Sequence, residues 1–260
     1  MPGASTVVLT TTDDVTLVAS YWPGPTDAVA YVVCHGFTGS SRTPDVLRIC
    51  AQLAASGSAV MAPDLRGHGR SGGLCTAGDL ETNDVAAAVA WLRSHGYAAV
   101  AVLGWSMGGS AVLRYAGLGG DTDAVVSVSS PGAWFERGTR AMRIVHWMCE
   151  TRTGRLAVRV GRGVRLAPTD SWANVPESPS EVAGRIAPTP LLIVHGDADH
   201  YFPARHVELL TAAAPEATVW LEPGMGHAET ATTAELLARI IEWVSTVVQP
   251  PVVWDDGRRD

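Results

Sequence analysis

The 260-residue sequence contains no lysine, so all 19 of its Lys and Arg residues are arginines. We attribute this usage to the base composition of the source genome rather than to a chemical requirement. Charge is sparse as well, because Asp, Glu, Lys and Arg together make up 17% of the chain. The 26 acidic residues give a formal net charge of −7 at pH 7, which argues against a nucleic-acid partner.

Long apolar segments and paired cysteines are missing too. Apolar runs are short and soon interrupted by Gly, Pro or charge, so the sequence predicts neither a membrane-spanning helix nor stable insertion into a bilayer. The N-terminus has no basic region followed by an apolar core, so no signal peptide is predicted. The four cysteines lack CxxC spacing and are scattered: Cys34, Cys50, Cys75 and Cys149. These features indicate a cytoplasmic protein with reduced, mostly buried thiols.

Apolar runs of strand length alternate with helical patterns along most of the chain, after a predicted hairpin around residues 13–14. Because parallel strands need crossover connections, this alternation predicts a mostly parallel sheet with helices on both faces. The alternation breaks where no clear strand occurs, between residues 132 and 184. We therefore expect one discontinuous domain, 1–131 and 185–248, with a helical insertion at 132–184 and a loosely ordered tail at 249–260.

The segment "VAVLGWSMGGSAVLRYAG" places Ser106 where a strand-like pattern becomes a helical one. It matches G-x-S-x-G over 104–108, in the strand–turn–helix context that this motif requires. Such a sharp turn leaves room only for small residues and holds the hydroxyl at the carboxyl edge of the sheet. The backbone N–H of Met107 points to the same place. A serine that merely caps the helix is the plainer alternative, but the context favours a nucleophile.

A serine is a weak nucleophile at neutral pH and needs a general base. Among the eight histidines, His227 stands in a glycine-rich loop, "GMGHAE", that follows a predicted strand. Loops of this kind carry catalytic side chains on a rigid scaffold. His68 and His200 also lie in loops and are weaker rivals. The sequence therefore favours His227 as the base.

The base in turn needs an acid that fixes its tautomer and stabilises the imidazolium. "HGDADHYFP" offers Asp197 and Asp199 just beyond a predicted strand. Asp199 lies farther into the loop and can reach the loop of His227, whereas we expect Asp197 to bond the backbone of the turn. The chain order Ser106, Asp199, His227 is the one expected for a nucleophile on this kind of turn.

Together these segments resemble the α/β-hydrolase superfamily, and most of all its esterase and monoacylglycerol-lipase-like branch of serine hydrolases. The likeness extends over nearly the whole chain up to the tail. The segments that carry it are "HGFTGSS", "APDLRGHGRSGG", "GWSMGG", "HGDADHYFP" and "GMGHAE". The resemblance implies Ser106 as nucleophile, Asp199 as acid and His227 as base. It also implies the backbone N–H groups of Phe37 and Met107 as the donors of an oxyanion hole.

In fold, the resemblance implies an α/β-hydrolase with an eight-stranded sheet and with residues 132–184 as an inserted lid. In activity, it implies a carboxylesterase or lipase that cleaves a small-molecule ester of short to medium acyl length, such as a monoacylglycerol, through an acyl-enzyme. This chemistry requires neither a metal nor an organic cofactor. A thioesterase, amidase, C–C hydrolase or perhydrolase with the same triad stays open, as does a non-catalytic ligand-binding protein on the same fold.

The lid is expected to set specificity through aromatic side chains that line an apolar pocket. The candidates are Trp105, Trp134, Trp147, Trp172 and Phe202. The tryptophans could equally pack the lid onto the core. The segment carries eight arginines and five acidic residues, a net charge of +3 that would suit an anionic substrate or a membrane surface. A solvated basic face is the simpler explanation.

Two further patterns are rejected. Residues 67–72 read G-x-G-x-x-G but do not directly join a strand to a helix, so we predict no nucleotide site. Four potential metal ligands are close in sequence: His195, Asp197, Asp199 and His200. They lack the spacing of a helical metal motif, and Asp199 is already assigned to the triad, so no metal site is predicted.

Overall fold

The computed structural model describes residues 3–168, 172 and 174–248. Eight strands form one sheet in the order β1-β2-β4-β3-β5-β6-β7-β8. In chain order they are β1 (Ser5–Thr10), β2 (Thr16–Trp22), β3 (Ala30–Cys34), β4 (Val60–Pro63), β5 (Val100–Trp105), β6 (Ala124–Val128), β7 (Leu191–Gly196) and β8 (Thr218–Glu222). β1 and β2 form the predicted hairpin, β2 pairs antiparallel with β4, and all other pairs are parallel. The predicted mostly parallel eight-stranded sheet is confirmed.

Helices cover both faces of this sheet. They are α1 (Pro44–Ala55), α2 (Glu81–Ser94), α3 (Met107–Gly117), α4 (Arg140–Glu150), α5 (Arg152–Arg162), α6 (Pro179–Ala183), α7 (Arg205–Ala213), α8 (Ala228–Ala231) and α9 (Ala234–Val247). α2 and α3 bury residues such as Val85 and Val112 against one face, and α1 and α9 bury Ile49 and Ile240 against the other. The central strands β3, β5, β6 and β7 are therefore buried at every position, which explains their continuous apolar runs.

The ends of α1 follow the sequence signals only in part. Pro44 occupies the first helical position, where its missing N–H costs no hydrogen bond, and Gly57 follows the helix at φ 91°. Thr43 occupies the N-cap position, but its hydroxyl accepts from the Ser40 amide (2.9 Å) instead of capping a helical N–H. The threonine therefore stabilises the loop before α1 rather than α1 itself.

The helical pattern of "TATTAELLARIIEWVSTVV" predicts one continuous helix over residues 230–248, whereas the structure contains two helices, α8 and α9. The break has a local cause at Thr232 and Thr233. The Thr233 hydroxyl accepts from the Leu236 amide at 3.1 Å, which caps α9 anew. The Thr232 hydroxyl donates to the carbonyl of Ala228 at 3.0 Å and accepts from the indole N–H of Trp105 at 2.9 Å. Both threonines thus use their side chains in ways that periodicity does not reveal.

Between β6 and β7 the chain forms α4, α5 and α6. Thr139 caps α4 by accepting from the Met142 amide at 3.1 Å. Thr151 separates α4 from α5 and caps the latter by accepting from the Gly154 amide at 2.9 Å. α4 and α5 pack against one another, whereas α6 packs against α3 and α7.

The proposed boundaries of the insertion, 132–184, stay a prediction. Residues 169–171 and 173 within it, and the tail at 249–260, lie outside the described residues. A bilayer crossing needs a helix of about 20 mostly apolar residues. None of the described helices has the necessary length and apolar character.

Two glycines of α5 should respond differently to alanine. A Cβ on Gly154 would lie 2.1 Å from the carbonyl oxygen of Trp147, so Gly154→Ala should push α5 away from α4. Gly161 has open space, so Gly161→Ala should stabilise the helix by about 0.5–1 kcal/mol. In hydrogen exchange over residues 139–163, we expect faster exchange for the first variant and about two- to fivefold slower exchange for the second. Unchanged exchange in Gly154→Ala would contradict the close packing of the two helices.

Candidate active site

Ser106 lies between β5 and α3 at a backbone turn with φ 52° and ψ −116°. This left-handed conformation is strained for a residue with a side chain and is typical of functional positions. The neighbouring glycines permit the turn, because a Cβ on Gly104 would lie 2.2 Å from the carbonyl oxygen of Gly108. A Cβ on Gly108 would lie 2.2 Å from the carbonyl oxygen of Cys34. The small residues of the motif are therefore required by the close approach of three backbone segments.

The structure brings Ser106, His227 and Asp199 together in a chain of hydrogen bonds. His227 Nε2 lies 3.0 Å from Ser106 Oγ, and His227 Nδ1 lies 2.8 Å from Asp199 Oδ2. Because the Asp199 carboxylate can only accept, Nδ1 carries the proton and Nε2 is left to accept from the serine. This tautomer is the one that a general base for Ser106 requires.

The Asp199 side chain is fully buried. Burial alone would raise the pKa of its carboxyl group, but the hydrogen bond and charge of His227 lower it, together with the backbone N–H groups of Tyr201 (2.8 Å) and Phe202 (3.1 Å). The pKa of Asp199 therefore lies below its ordinary value. The carboxyl group stays ionised at neutral pH and can stabilise an imidazolium at His227.

The loop that carries His227 is fixed by its neighbours. The amide of Ala228 donates to Ser129 Oγ (3.1 Å), at the end of β6. The Asp197 carboxylate accepts from the amide of Gly224 (2.6 Å) in the turn after β8, not from the backbone of its own turn as expected. The ring of Tyr201 lies against the imidazole, with the ring centroids 4.3 Å apart. The base is therefore held from the ends of β6 and β7 rather than by its own loop alone.

The loop after β3 carries the second expected oxyanion donor and is ordered by His35. Nε2 of His35 accepts from the Leu65 amide (3.0 Å), so Nδ1 bears the proton and donates to the carbonyl of Gly36 (2.9 Å). Burial, together with the neighbouring His68, lowers the pKa of His35 to about 3. The imidazole therefore stays uncharged at neutral pH and holds the Gly36 carbonyl in place.

The Gly36 carbonyl also accepts from the amide of Gly39 at 3.0 Å. In a trans peptide the N–H points opposite to the C=O, so these two hydrogen bonds orient the N–H of Phe37 away from them. Within the described part of the chain, the Phe37 amide has no acceptor, and the Met107 amide opens α3, where no intrahelical acceptor exists. Both amides are thus free to donate to a ligand, and their assignment as an oxyanion hole stays a prediction.

A cavity of about 410 Å³ opens over Ser106 and His227. The expected residues Trp134, Trp172 and Phe202 line it. Other apolar or aromatic lining residues are Phe37, Phe135, Met142, Val145, Met148 and Tyr201. Such an apolar cleft with a few convergent polar groups is typical of a small-molecule site.

Two of the five expected substrate-binding residues lie elsewhere. Trp105 is fully buried in the core on the α1 and α9 face, where its indole N–H donates to Thr232, so the assignment to the pocket is wrong for this residue. Successive strand residues point to opposite faces of the sheet. The side chain of Trp105, the last residue of β5, points to the face that α1 and α9 cover. Trp147 lies on the solvent-facing side of α4, where 46% of it is exposed, and does not line the cavity.

The loop after β4, which contains the rejected G-x-G-x-x-G pattern, has a structural role. Asp64 is buried and accepts from the amides of Ser41 (2.7 Å) and Arg70 (2.9 Å). Gly67 and Gly69 both have positive φ and form a tight turn in the same loop. Among the described residues, no three His, Cys, Asp or Glu side chains converge in a way that could hold a metal ion.

Sequence reasoning missed Glu229, whose half-buried carboxyl group lines the cavity. Its Oε1 accepts from the amide of Gly36 at 2.5 Å. Burial raises the pKa of this carboxyl group above its ordinary value. The signal available was its place two residues after His227 in "GMGHAE", but neither spacing nor periodicity connects it to the distant loop after β3.

A family model described as serine aminopeptidase, S33, matches residues 26–180, which is more than half of the chain. The matched range includes the loop after β3 and the turn at Ser106. A search of curated protein sequences finds no match.

Solved structures with the same fold include two esterases. The Pf2001 esterase of Pyrococcus furiosus is 23% identical, with a TM-score of 0.74 over 94% of this chain and 92% of that one. The RhEst1 esterase of Rhodococcus sp. is 20% identical, with a TM-score of 0.69 over 94% and 100%. The α/β-hydrolase GrgF of Penicillium sp. is 18% identical, with a TM-score of 0.77 over 95% and 99%. These likenesses confirm the predicted α/β-hydrolase fold.

A histidine of α7 that is bonded to the start of the proposed insertion should couple stability to pH. Buried His206 accepts from the Gly132 amide at 2.9 Å through Nδ1, and burial lowers its pKa to about 4. The unfolded chain, with an ordinary pKa near 6.5, binds the proton first as pH falls. His206 therefore lowers the free energy of unfolding by up to about 1.4 kcal/mol per pH unit between about pH 6.5 and 4.

Urea unfolding of wild type and His206→Gln at pH 4.5, 5.5, 6.5 and 7.5 checks this pH dependence. The glutamine amide oxygen can still accept from the Gly132 amide, but it does not titrate. We expect the variant to lose stability less steeply than wild type below pH 6.5. His95→Gln, at an exposed histidine, controls for the loss of an imidazole. Parallel curves for wild type and His206→Gln would contradict the lowered pKa.

Proposed function

Because the chain belongs to the serine aminopeptidase S33 family of α/β-hydrolases, we propose that it hydrolyses carboxylic esters through an acyl-enzyme on Ser106. One observation carries the proposal, the hydrogen-bonded chain from Ser106 Oγ through His227 to the buried Asp199 carboxylate. It supplies a nucleophile, a base and a group that fixes the base, in the order that acyl transfer needs. The esterases among the structural relatives support the ester as the substrate bond.

Acylation begins when His227 Nε2 takes the proton of Ser106 as Oγ attacks the substrate carbonyl. The resulting imidazolium is stabilised by the ionised Asp199, whose pKa is held low. The imidazolium then donates its proton to the leaving alcohol, and the C–O bond to that alcohol breaks. In deacylation a water molecule gives one proton to His227 Nε2 and attacks the acyl carbon. The bond between the acyl carbon and Ser106 Oγ then breaks, Oγ takes the proton back from the imidazolium, and the carboxylic acid leaves.

The negative charge that develops on the substrate carbonyl oxygen needs hydrogen-bond donors to stabilise it. We assign this role to the amides of Phe37 and Met107, which have no acceptor within the described residues. Donors of this kind contribute about 3 kcal/mol each to transition-state stabilisation. The start of α3 at Met107 adds a favourable field from the helix dipole.

The cavity favours an apolar acyl or alcohol group, because aromatic and aliphatic side chains line it. We assign the segment 132–184 the role of a lid, since Trp134, Met142 and Val145 from this segment form part of the cavity wall over Ser106. An ester of short to medium chain length, such as a monoacylglycerol, is the substrate class proposed.

The nucleophile is tested with p-nitrophenyl esters from C2 to C16 and a fluorophosphonate label read by intact mass. Ser106→Ala should lower kcat at least about 10⁴-fold, because the nucleophile of a triad cannot be replaced by its partners. It should also abolish the single covalent adduct. Ser110→Ala is the matched control, since Ser110 is a buried serine one turn along α3 and should keep the adduct.

The outcomes separate the alternatives. Labelling of Ser106 without ester turnover would favour a thioester or another acyl substrate on the same triad. Folded protein with neither label nor turnover would contradict the esterase proposal and favour a ligand-binding protein. Turnover that survives in Ser106→Ala would show that another group attacks the ester.

The acyl site is tested by filling it from the proposed lid. Val145 lines the cavity, whereas its neighbour Ile144 is 49% exposed and does not. Val145→Trp should move the chain-length optimum to shorter esters and lower kcat/KM for the longest ester accepted by wild type at least about tenfold. Ile144→Trp places the same ring outside the cavity and should leave the optimum unchanged. An unchanged optimum in Val145→Trp would mean that the acyl group binds elsewhere.

A further inference from the structure

Glu229 lies between the two loops on which the proposed chemistry depends. It follows His227 by two residues in α8, and its Oε1 accepts from the amide of Gly36, in the loop after β3, at 2.5 Å. A Cβ placed on Gly36 would lie 3.2–3.3 Å from both Glu229 carboxylate oxygens and 3.3 Å from Ser106 Cβ. The carboxyl group therefore packs directly against the glycine that separates it from the nucleophile.

The backbone of Glu229 is anchored independently of this contact. Its carbonyl oxygen accepts from Arg48 Nη2 at 3.0 Å, and Arg48 also lies 3.5 Å from Asp45. The guanidinium thus fixes the start of α8 to α1, on a side of the residue other than the cavity. Since the main chain is held, the carboxyl group can act as a rigid acceptor for Gly36.

We propose that Glu229 is a positioning residue that links the loop of His227 to the loop after β3. It holds the Gly36 amide so that the Phe37 amide faces Ser106. This inference rests on the proposed function, because it presumes that the Phe37 amide donates to the oxyanion. Glu229 touches neither reacting atom in this role and acts through the backbone of the loop after β3.

Only a few hydrogen bonds within the described residues set the orientation of the Phe37 amide. The peptide between Gly36 and Phe37 is held at its carbonyl by His35 Nδ1 and the Gly39 amide. The preceding peptide, whose N–H belongs to Gly36, is held by Glu229. With both peptides fixed, the rotation about the Gly36 Cα that would turn the Phe37 N–H away is restrained. Glycine offers little resistance of its own to that rotation.

A different role would be a purely electrostatic one, in which the negative charge stabilises an imidazolium at His227. The charged or titratable groups that face Glu229 are His227, Asp45 and Arg48, the last through the backbone carbonyl. Among the described residues, no side-chain nitrogen of His227 or Arg48 lies within ion-pair distance of the Glu229 carboxylate oxygens. The geometry therefore favours the hydrogen bond to the Gly36 amide over an electrostatic role. Glutamine separates the two roles, since it keeps the acceptor and removes the charge.

The test compares Glu229→Gln, Glu229→Ala and Glu235→Ala in the full chain. Glu235 is exposed in the first turn of α9 and serves as the matched control for loss of a carboxylate. The first readout is the second-order rate constant of Ser106 labelling by a fluorophosphonate, which needs the oxyanion donors but no knowledge of the natural ester. The second is the division of any effect between kcat and KM for p-nitrophenyl butyrate, and the third is the thermal unfolding midpoint.

We expect Glu229→Ala to lower the labelling rate and kcat about 10- to 100-fold with KM little changed, since a displaced donor weakens only the transition state. Glu229→Gln should stay within about threefold of wild type in both, and Glu235→Ala should match wild type. Equal rates for wild type and Glu229→Ala would overturn the inference. Equal losses in Glu229→Gln and Glu229→Ala would assign the effect to charge and overturn it as well.

Loss of folding is recognised separately. If Glu229→Ala lowers both rates only in proportion to the unfolded fraction given by its melting curve, the residue is merely structural and the inference is overturned. Wild type that carries no label on Ser106 would overturn the proposed function and this inference together. Labelled wild type with an unaffected Glu229→Ala would overturn this inference alone.

Discussion

The close crossing of α3 over the end of β3 determines the geometry of the whole site. Gly108 lies so near the Cys34 carbonyl oxygen that a Cβ would stand 2.2 Å away, and the parallel register pairs Cys34 with Gly104. The turn at Ser106 therefore has one permitted path, at a φ of 52°. That path places the serine hydroxyl and the Met107 amide beside the loop that leaves β3. The strain at Ser106 is tolerated because the packed backbone on three sides leaves no alternative.

The remaining groups reach this point because parallel strands end at the same edge of the sheet. The loop after β3 brings Phe37, the turn after β5 brings Ser106, and the ends of β7 and β8 lead to Asp199 and His227. Ser129 at the end of β6 holds the loop of the histidine by accepting from the amide that follows it. Neighbouring strands thus each contribute one element, and the crossover helices keep them in register. A few loop residues suffice because the sheet beneath them is buried on both faces.

Periodicity and motif context predicted the sheet, the turn at Ser106 and the loops of Asp199 and His227, because each of these has a local signature. Contacts between distant segments have no such signature, so the approach of Glu229 to Gly36 could not be predicted. The assignment of Trp105 to the pocket failed because proximity in sequence to Ser106 does not mean the same face of the sheet. The assignment of Trp147 to the pocket was wrong for a related reason, since α4 carries apolar side chains on both its cavity side and its solvent side. The broken last helix depended on two threonine hydroxyls, whose partners only the fold reveals.

Two carboxyl groups near the nucleophile have environments that shift their pKa values in opposite directions. Asp199 accepts from His227 and from two backbone amides, and these donors outweigh the effect of burial, so its pKa is lowered. Glu229 accepts from the amide of Gly36, but burial prevails, so its pKa is raised. In the proposed mechanism, the ionised Asp199 places negative charge beside the imidazolium of His227, where it stabilises the transition state. The hydrogen-bond donors around each carboxyl group therefore determine whether the effect of burial on its pKa prevails.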